Sequence, residues 1–351
     1  MMRRGNPLEM AGPLTESNQD YEAAKRAWAE AQVSPLWESA VAFKEQAASP
    51  KALHWRWNKM RPLIDRAITL VSPKDVERRV LLLSDPELSA GRRATTTRGL
   101  NAGLKILLPG ESARPHRHSM DAIRFVLEGE GATTIVDGKT CPMQENDLVL
   151  TPGWSWHEHV HHGSRPVIWL DGLNSPLHRY LGTAAFEPGP PRELVPSLPD
   201  AAFETANILP EMGGATPYSP VFRYSYESAA VVAAAAPKGK DGTRRARYVN
   251  PATGGPAIML MDHQLVQLDS GVTTLPFRTT ANTICAVVEG EGSSTIGAET
   301  LAWEPKDVFT IPTGNWTVHR ASAKTARLFV FSDREVFARL GLLKEEYGNA
   351  G

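Results

Sequence analysis

The sequence predicts an all-β dominated fold of two tandem copies of one β-barrel unit, preceded by an N-terminal helical segment. From Arg79 onward, short apolar runs such as residues 123–127 are separated by Gly, Pro and Asp. This texture is typical of a sandwich or barrel of short strands. The sequence Glu-Gly-Glu-Gly at residues 128–131 also returns at residues 289–292, with similar flanking segments in the same order. Such a repeat predicts two copies of one unit.

The texture of the chain also predicts where each part begins and ends. Residues 18–48 carry apolar side chains at roughly helical spacing, interrupted near Pro35. The segment between the two strand-rich parts contains a Glu-Pro-Gly-Pro-Pro sequence and a run of alanines, which indicates a linker with some local helix. A short helix is expected over residues 334–343. We therefore divide the chain into a helical region (1–78), a first barrel (79–185), a linker (186–256) and a second barrel (257–351).

Composition excludes several classes of partner. The 351 residues carry a net charge of -1, so no basic excess is present to neutralise the phosphates of a nucleic acid. No apolar run approaches the ~18 residues of a membrane span. The basic start leads into Pro and Glu rather than into the apolar core of a signal peptide. The two cysteines, Cys141 and Cys285, fit the reducing cytoplasm.

The candidate chemistry lies in three histidines. His116 and His118 precede an apolar strand, and His157 follows a Pro-Gly turn that leads into another. Residues i and i+2 of a strand share a face, so these imidazoles can enter one barrel interior. Three neutral imidazoles would bind a divalent first-row metal and leave positions open for a substrate and O₂, although ligand type alone does not choose among Fe, Ni, Cu and Zn. The alternative is a set of surface histidines on a hairpin.

Longer motifs around these histidines carry a family resemblance. Residues 110–118, 128–131 and 152–159 resemble the paired motifs of the cupins. More specifically, four segments resemble the gentisate 1,2-dioxygenase family, which includes salicylate, 5-nitrosalicylate and 1-hydroxy-2-naphthoate dioxygenases. These segments are Arg-Phe-Val-Leu-Glu-Gly at 124–129, Asp-Leu-Val-Leu-Thr-Pro-Gly-Trp at 147–154, Trp-Leu-Asp-Gly-Leu at 169–173 and Tyr-Val-Asn-Pro-Ala-Thr-Gly-Gly at 248–255. The resemblance extends from about residue 35 to the end of the chain.

The resemblance implies a bicupin that binds Fe(II) through His116, His118 and His157, with no protein carboxylate as a ligand. Asp121 is therefore left out of the site. It also implies a homotetramer that cleaves aromatic rings. Such an enzyme inserts both atoms of O₂ between the carboxylate-bearing and hydroxyl-bearing carbons of a small aromatic acid of the 2-hydroxybenzoate type.

Two arginines are candidates for the substrate carboxylate. Arg124 lies six residues past His118, an even spacing that places both on one face of a regular strand. A guanidinium can hold a carboxylate through two parallel hydrogen bonds. The alternative for Arg124 is a surface ion pair. Arg79 is a second candidate by the family pattern, and the adjacent Arg78 leaves its placement open.

Lys105 stands where relatives often carry Gln in the pocket wall. If it faces inward, its ammonium could receive an anionic or strongly polar ring substituent such as a nitro group. The sequence then favours a substituted salicylate such as 5-nitrosalicylate slightly over gentisate. In the alternative arrangement, Lys105 points outward and pairs with Glu111.

Two further residues are candidates for catalysis. His159 is the i+2 neighbour of His157 and could bond to O₂ or a phenolate and transfer a proton. Asp171 could orient such a histidine or contact the substrate. The alternatives are an outer-shell structural histidine and an aspartate that caps a turn.

The second copy departs from the first at the positions of its candidate ligands. The repeat aligns residues of the second barrel with the candidate site residues of the first. They are Phe277, Thr279, Cys285, Thr317 and His319, which correspond in this order to His116, His118, Arg124, His157 and His159. We therefore expect the second barrel to be metal-free and structural. A metal-binding bicupin without oxygenase activity, such as an isomerase or a small-ligand-binding protein, remains the alternative function, and a storage-type bicupin disagrees with the three histidines.

Overall fold

A computed structural model of the chain describes residues 18–35, 50–72, 78–89, 94–189, 198–203, 205, 208–211 and 217–349. It divides into a small unit, Met1–Ala48, and a large unit, Ser49–Gly351. The helices are α1 (Asn18–Glu30), α2 (Trp57–Leu70), α3 (Pro86–Ser89), α4 (Ser175–Tyr180), α5 (Tyr226–Ala235) and α6 (Arg334–Arg339). Helix α1 lies in the small unit, and residues 36–48 of the predicted helical segment lie outside the described residues. Within the described parts of the chain, no helix is long and apolar enough to cross a membrane.

The large unit is built mainly from short strands. In chain order, these are β1 (His54–Trp55), β2 (Val80–Leu83), β3 (Asn101–Leu107), β4 (Ser112–His118), β5 (Ala122–Glu128), β6 (Ala132–Val136), β7 (Lys139–Met143), β8 (Leu148–Thr151), β9 (His157–His161), β10 (Val167–Leu173), β11 (Phe186–Pro188), β12 (Arg223–Tyr224), β13 (Arg244–Arg247), β14 (Asp262–Leu268), β15 (Phe277–Thr279), β16 (Thr283–Glu289), β17 (Gly292–Ile296), β18 (Glu299–Trp303), β19 (Val308–Ile311), β20 (Thr317–Ala321), β21 (Ala326–Ser332) and β22 (Glu345–Tyr347).

These strands form two barrels of two sheets each. The first barrel joins a six-stranded sheet, β12-β8-β5-β10-β3-β2, to a five-stranded sheet, β11-β4-β9-β6-β7. The second barrel repeats this plan with the orders β1-β19-β16-β21-β14-β13 and β18-β17-β20-β15-β22. The predicted fold class, a mostly β bicupin, is confirmed.

The central strands are buried on both faces because the two barrels pack against each other. Strand β5 has no exposed residue, although it carries both Arg124 and Phe125. Successive side chains of a strand point to opposite faces, so Arg124 faces the barrel interior and Phe125 faces the second barrel. The ring of Phe125 stacks on that of Phe329 from β21, with centroids 4.0 Å apart and planes 4° from parallel.

The sheets extend into the segment that we predicted as a linker, residues 186–256. Strand β11 pairs with β4 and β12 with β8 in the first barrel, whereas β13 pairs with β14 in the second. Strand β1, from the predicted helical region, pairs with β19 of the second barrel. These strands have only two to four residues. Their pairing depends on tertiary contacts, which a local sequence pattern does not reveal.

One buried histidine between the sheets predicts a pH-dependent stability. Both ring nitrogens of His263 on β14 lack a hydrogen-bond partner among the described residues, and burial lowers the pKa of His263 from 6.5 to about 4. Between about pH 6.5 and about pH 4, this histidine is therefore protonated in the unfolded chain but not in the folded chain. This contribution to stability is complete above about pH 6.5 and falls by about 3 kcal/mol as the pH drops through about 4.

We expect His263→Leu to remove that part of the acid destabilisation, because leucine has no proton to gain and leaves no polar atom unpaired. Urea unfolding at neutral pH and near pH 4.5 measures how much stability each protein loses on acidification. The exposed His162→Leu variant is the control. Equal losses of stability in wild type and His263→Leu would contradict the prediction.

Candidate metal centre and active site

Three histidines from neighbouring strands converge inside the first barrel. Strand β4 contributes His116 and His118, and β9 contributes His157, which pairs with His116 across the two strands. All three are buried, and their candidate ligand atoms lie within 4.8 Å of one another. Within the described ranges, no other group of three or more His, Cys, Asp or Glu side chains has this geometry.

Hydrogen bonds to the backbone fix which nitrogen of each ring faces the centre. A carbonyl oxygen only accepts, so a ring nitrogen bonded to one carries the hydrogen and leaves Nε2 with its lone pair. Nε2 of His157 is buried and has no hydrogen-bond partner among the described residues. Outer bonds of this kind set the ring orientation of metal-binding histidines. The Nδ1–carbonyl distances are 2.8 Å for His116 to Arg114, 2.8 Å for His118 to Met120 and 3.0 Å for His157 to Ser155.

Burial keeps all three rings neutral. It lowers the pKa of His116 to about 3, lowers that of His118 to about 4 and lowers the pKa of His157 well below its ordinary value. The main cause is the loss of solvation for a charged ring inside the barrel. A metal ion binds the unprotonated ring, so the three side chains are in their binding form at neutral pH.

The donors present fit a divalent first-row metal ion. They are three neutral nitrogens, and no carboxylate joins them, since Asp121 is committed elsewhere. Its oxygens accept from the amide of Gly153 and from the side chain of Asn174, both at 2.9 Å. Three neutral ligands leave the charge of the ion uncompensated, which favours an anionic further ligand.

His159 lies beside this group, and it is fully buried. Its Nδ1 is 2.9 Å from the hydroxyl oxygen of Thr134, and its ring centroid is 5.3 Å from that of Trp169. Nε2 has no hydrogen-bond partner within the described part of the chain. Burial lowers the pKa of His159 well below its ordinary value, so the ring is a neutral group with one nitrogen available to a ligand.

Arg124 and Asp171 are opposite each other on β5 and β10. The Arg124 guanidinium donates to the hydroxyl of Thr151 and is 3% exposed. Its Nε lacks a hydrogen bond among the described residues and lies 3.9 Å from an Asp171 oxygen, which accepts from Trp169 at 2.6 Å. Burial lowers the pKa of Arg124 to about 10, so it remains charged at neutral pH. The interior of the first barrel therefore holds a charged guanidinium that can donate a further hydrogen bond to a ligand.

Lys105 faces the interior rather than the solvent. It is 3% exposed, and its ammonium lies 5.3 Å from the ring centroid of Trp169, its partner across β3 and β10. Its positive charge adds to the lowering of the pKa of His159. Glu111, the outward partner considered in the alternative, instead pairs with Arg79.

The structure corrects the placement of the two adjacent arginines. Both terminal nitrogens of Arg79 bond to Glu111, at 2.9 and 3.1 Å, so this guanidinium is directed away from the histidines. Arg78 instead donates from Nη1 to Nε2 of His116 at 3.1 Å, so this hydrogen bond occupies the nitrogen that a metal ion would take and must give way when a metal binds. The reason is the two-residue period of a strand. Val80 pairs with inward-facing Lys105, and Arg78 shares its face.

Phe186 is a neighbour of the site that the sequence analysis missed. It lies on β11, opposite His118, with its ring centroid 5.5 Å from that of His116 and 5.4 Å from the guanidinium carbon of Arg78. Phe186 is 47% exposed. The side chain thus forms part of the boundary between the histidines and solvent. It falls within the predicted linker, where no motif marks it.

The comparisons with known proteins agree with this architecture. A cupin domain model matches residues 103–172. The gentisate 1,2-dioxygenase 1 of Aquipseudomonas alcaligenes is 36% identical over 328 residues, which cover 89% of this chain and 92% of the relative. The 5-aminosalicylate 1,2-dioxygenase of Comamonas sp is 31% identical over 340 residues, 93% and 90% of the two chains. A solved salicylate 1,2-dioxygenase from Pseudaminobacter salicylatoxidans matches with a TM-score of 0.87 and 28% identity, covering 95% of this chain and 99% of that one.

The fold and the site define a bicupin with a buried metal-binding group of three histidines in its first barrel. Relatives that are more than 30% identical match about nine-tenths of the chain. The chain belongs to the gentisate 1,2-dioxygenase family, and it is a ring-cleaving 1,2-dioxygenase. The predicted family, fold class and enzyme class are confirmed.

Proposed function

We propose that the enzyme uses Fe(II), bound by His116, His118 and His157, to insert both atoms of O₂ between C1 and C2 of a 2-hydroxybenzoate-type acid. The observation that carries the proposal is the buried positive charge of Arg124 and Lys105 beside the three histidines. Nε of the buried Arg124 guanidinium has no hydrogen-bond partner among the described residues, and such a buried cation is costly unless an anion joins it. The relatives named above act on gentisate, 5-aminosalicylate and salicylate, which all carry a carboxylate next to a hydroxyl-bearing carbon.

The reaction balances without an external reductant. The C1–C2 bond breaks, C1 gains one oxygen atom and becomes an oxo carbon, and C2 gains the other and becomes a carboxyl carbon. The bound ferrous ion would supply the redox chemistry that lets ground-state O₂ react with the closed-shell ring. All other roles fall to side chains of this chain.

Arg124 holds the substrate carboxylate, because its guanidinium is positioned by Thr151 and Asp171 and its Nε has no hydrogen-bond partner among the described residues. Arg78 takes over the role suggested for Arg79, since it is the arginine that reaches the histidines. His159 accepts or donates a proton at Nε2, while Thr134 holds its other nitrogen. Asp171 orients Arg124 and the indole of Trp169. Burial of these groups excludes water from the charged parts of the substrate.

Lys105 tunes the choice of substrate. Its inward position supports a ring substituent that is anionic or strongly polar, and we expect 5-nitrosalicylate to be preferred over gentisate. Steady-state turnover of the two acids, with product mass to establish uptake of both oxygen atoms, measures this preference. A preference for gentisate of more than about 10-fold, or about 1.4 kcal/mol in transition-state binding, would contradict it.

A matched pair of variants separates the role of Lys105 from that of charge in general. Lys105→Met removes the buried ammonium and keeps a similar length, and it should shift the ratio of kcat/KM values by about 10-fold towards gentisate. Lys324→Met removes an exposed ammonium of the second barrel and should leave the ratio unchanged. An unchanged ratio in Lys105→Met would remove Lys105 from the pocket.

The family resemblance supports two further features. We propose that the enzyme is a homotetramer and acts in the cytoplasm. Sedimentation of the metal-loaded protein at several concentrations tests the first, and fractionation of the native cells tests the second.

A further inference from the structure

The second barrel contains a partly open cavity of about 370 Å³ at the place where the first barrel carries its site. This volume lies within the range of small-molecule sites. The equivalence follows from strand pairing. His116 pairs with His157 in the first barrel, and Phe277 pairs with Thr317 in the second. Residues from both sheets line this cavity, so it is the barrel interior rather than a surface groove.

The charged wall of the first site has become apolar in the second. The pair Arg124 and Asp171 corresponds to Cys285 and Val330, which pair across β16 and β21. The pair Lys105 and Trp169 likewise corresponds to Val266 and Leu328, which pair across β14 and β21. All four replacements line the cavity. None of them carries a charge, and Cys285, Val266 and Leu328 are smaller than the arginine, lysine and tryptophan that they replace, so they leave space where the first barrel holds a guanidinium and an indole.

One polar pair survives this replacement. His319 Nδ1 lies 2.7 Å from the hydroxyl of Ser294, as His159 Nδ1 lies 2.9 Å from Thr134. Trp303 donates to the same Ser294 oxygen at 2.9 Å, so the buried hydroxyl is free to donate its own hydrogen to His319. In the neutral ring, Nε2 then carries the hydrogen. Within the described part of the chain, His319 bonds through its backbone amide to Thr274 and through Nδ1 to Ser294, and its side chain lines the cavity, where Nε2 is the remaining donor.

The arginines around the cavity are already paired with carboxylates, so they do not favour the binding of an anionic ligand. Arg245 pairs with Asp241 through both terminal nitrogens. Arg247 bonds to Asp262, Arg278 bonds to Glu346, and Arg334 bonds to Glu345 at 2.8 and 3.1 Å. Each positive charge is thus matched by a carboxylate within hydrogen-bond distance. A benzoate anion entering this cavity would lose its hydration and meet no uncompensated cation.

We propose that the second barrel is a binding site for a small uncharged aromatic molecule with an oxygen acceptor, such as an aryl ketone or a phenol. Its ring packs on the apolar wall of Val266, Cys285, Leu328 and Val330. Its oxygen accepts from Nε2 of His319. The rings of Phe277 and Tyr347, with centroids 5.0 Å apart at the cavity lining, add an aromatic edge. The two barrels therefore differ in the charge of the ligand that each accepts.

Two compounds of nearly equal shape test this difference on the metal-loaded enzyme. Crystals soaked with 4-bromoacetophenone should give a bromine anomalous peak inside the second barrel beside His319, whereas crystals soaked with 4-bromobenzoate should give none there. Absence of the ketone from the second barrel would overturn the proposal. So would a benzoate peak at the same position.

Calorimetric titration of 4-bromoacetophenone extends the test to solution. Val330→Phe fills the cavity and should weaken binding by at least about 10-fold. Cys285→Met narrows the same wall and serves if Val330→Phe does not fold. Val231→Phe, the same change at a residue that is 70% exposed on α5, should leave the affinity unchanged. Equal affinities in the wild type and in the folded cavity variants would overturn the proposal.

Discussion

Replacing His118 with alanine is expected to abolish metal binding and ring cleavage together. The remaining pair, His116 and His157, cannot surround a metal ion from three directions. Loss of a mere outer-shell partner typically costs 10- to 100-fold in metal affinity. Loss of a ligand should therefore cost more than about 100-fold. Metal content after dialysis, measured with turnover in the same samples, gives the result.

His162→Ala is the matched control for this change. His162 is exposed directly after β9, so its loss should alter neither metal content nor turnover. The assignment of His118 would be wrong if the alanine variant kept a full complement of metal and full activity. Loss of both in the His162 variant would indicate a defect in folding rather than at the site.

Arg124→Lys is expected to lower kcat/KM by about 10- to 150-fold while the metal stays bound. An ammonium keeps the charge, but it cannot bond to Thr151 and a carboxylate through the planar fork of a guanidinium. One charged hydrogen bond contributes roughly 1.5–3 kcal/mol, which corresponds to that range. Steady-state kinetics on metal-loaded protein measure the effect.

Arg165→Lys provides the comparison, since Arg165 is 75% exposed in its side chain and its nearest acidic partner is 3.9 Å away. It should have wild-type kinetics. An unchanged kcat/KM in Arg124→Lys, with metal still bound, would remove Arg124 from the substrate site.

Spacing along a strand predicted much of the candidate site. The two-residue period placed His116 and His118 on one face, and the same rule extended to His159 and Arg124. The structure brings these four side chains into one interior. Local spacing suffices for the pairs that share one strand, His116 with His118 on β4 and His157 with His159 on β9. His118 and Arg124 instead lie on different strands, β4 and β5, so the tertiary arrangement of the strands, and not the even spacing, places both in the interior.

The same rule could not choose between Arg78 and Arg79. The choice depends on the pairing of β2 with β3, where Val80 is opposite Lys105, and this register is a tertiary feature. For a related reason, the sequence did not predict Phe186 as part of the site. Its strand has three residues and pairs with β4 from a distant part of the chain. Short edge strands carry too few residues for a periodic pattern to appear.

The loss of the candidate metal ligands in the second barrel could be predicted from the sequence, whereas the cavity could not. The repeat placed Phe277, Thr279 and Thr317 at the ligand positions, which predicts a barrel without a metal. The cavity itself could not be predicted, because its volume depends on how Leu328 and Val330 pack in three dimensions. The pairing of each arginine at its rim with a carboxylate is also a matter of tertiary contacts.

Anomalous diffraction at the iron absorption edge, on crystals of the enzyme loaded anaerobically with Fe(II), tests the central claim most directly. We predict a single strong peak in each chain, enclosed by Nε2 of His116, His118 and His157, and none beside His319. A strongest peak in the second barrel, or no peak among the three histidines of a catalytically active crystal, would contradict the account.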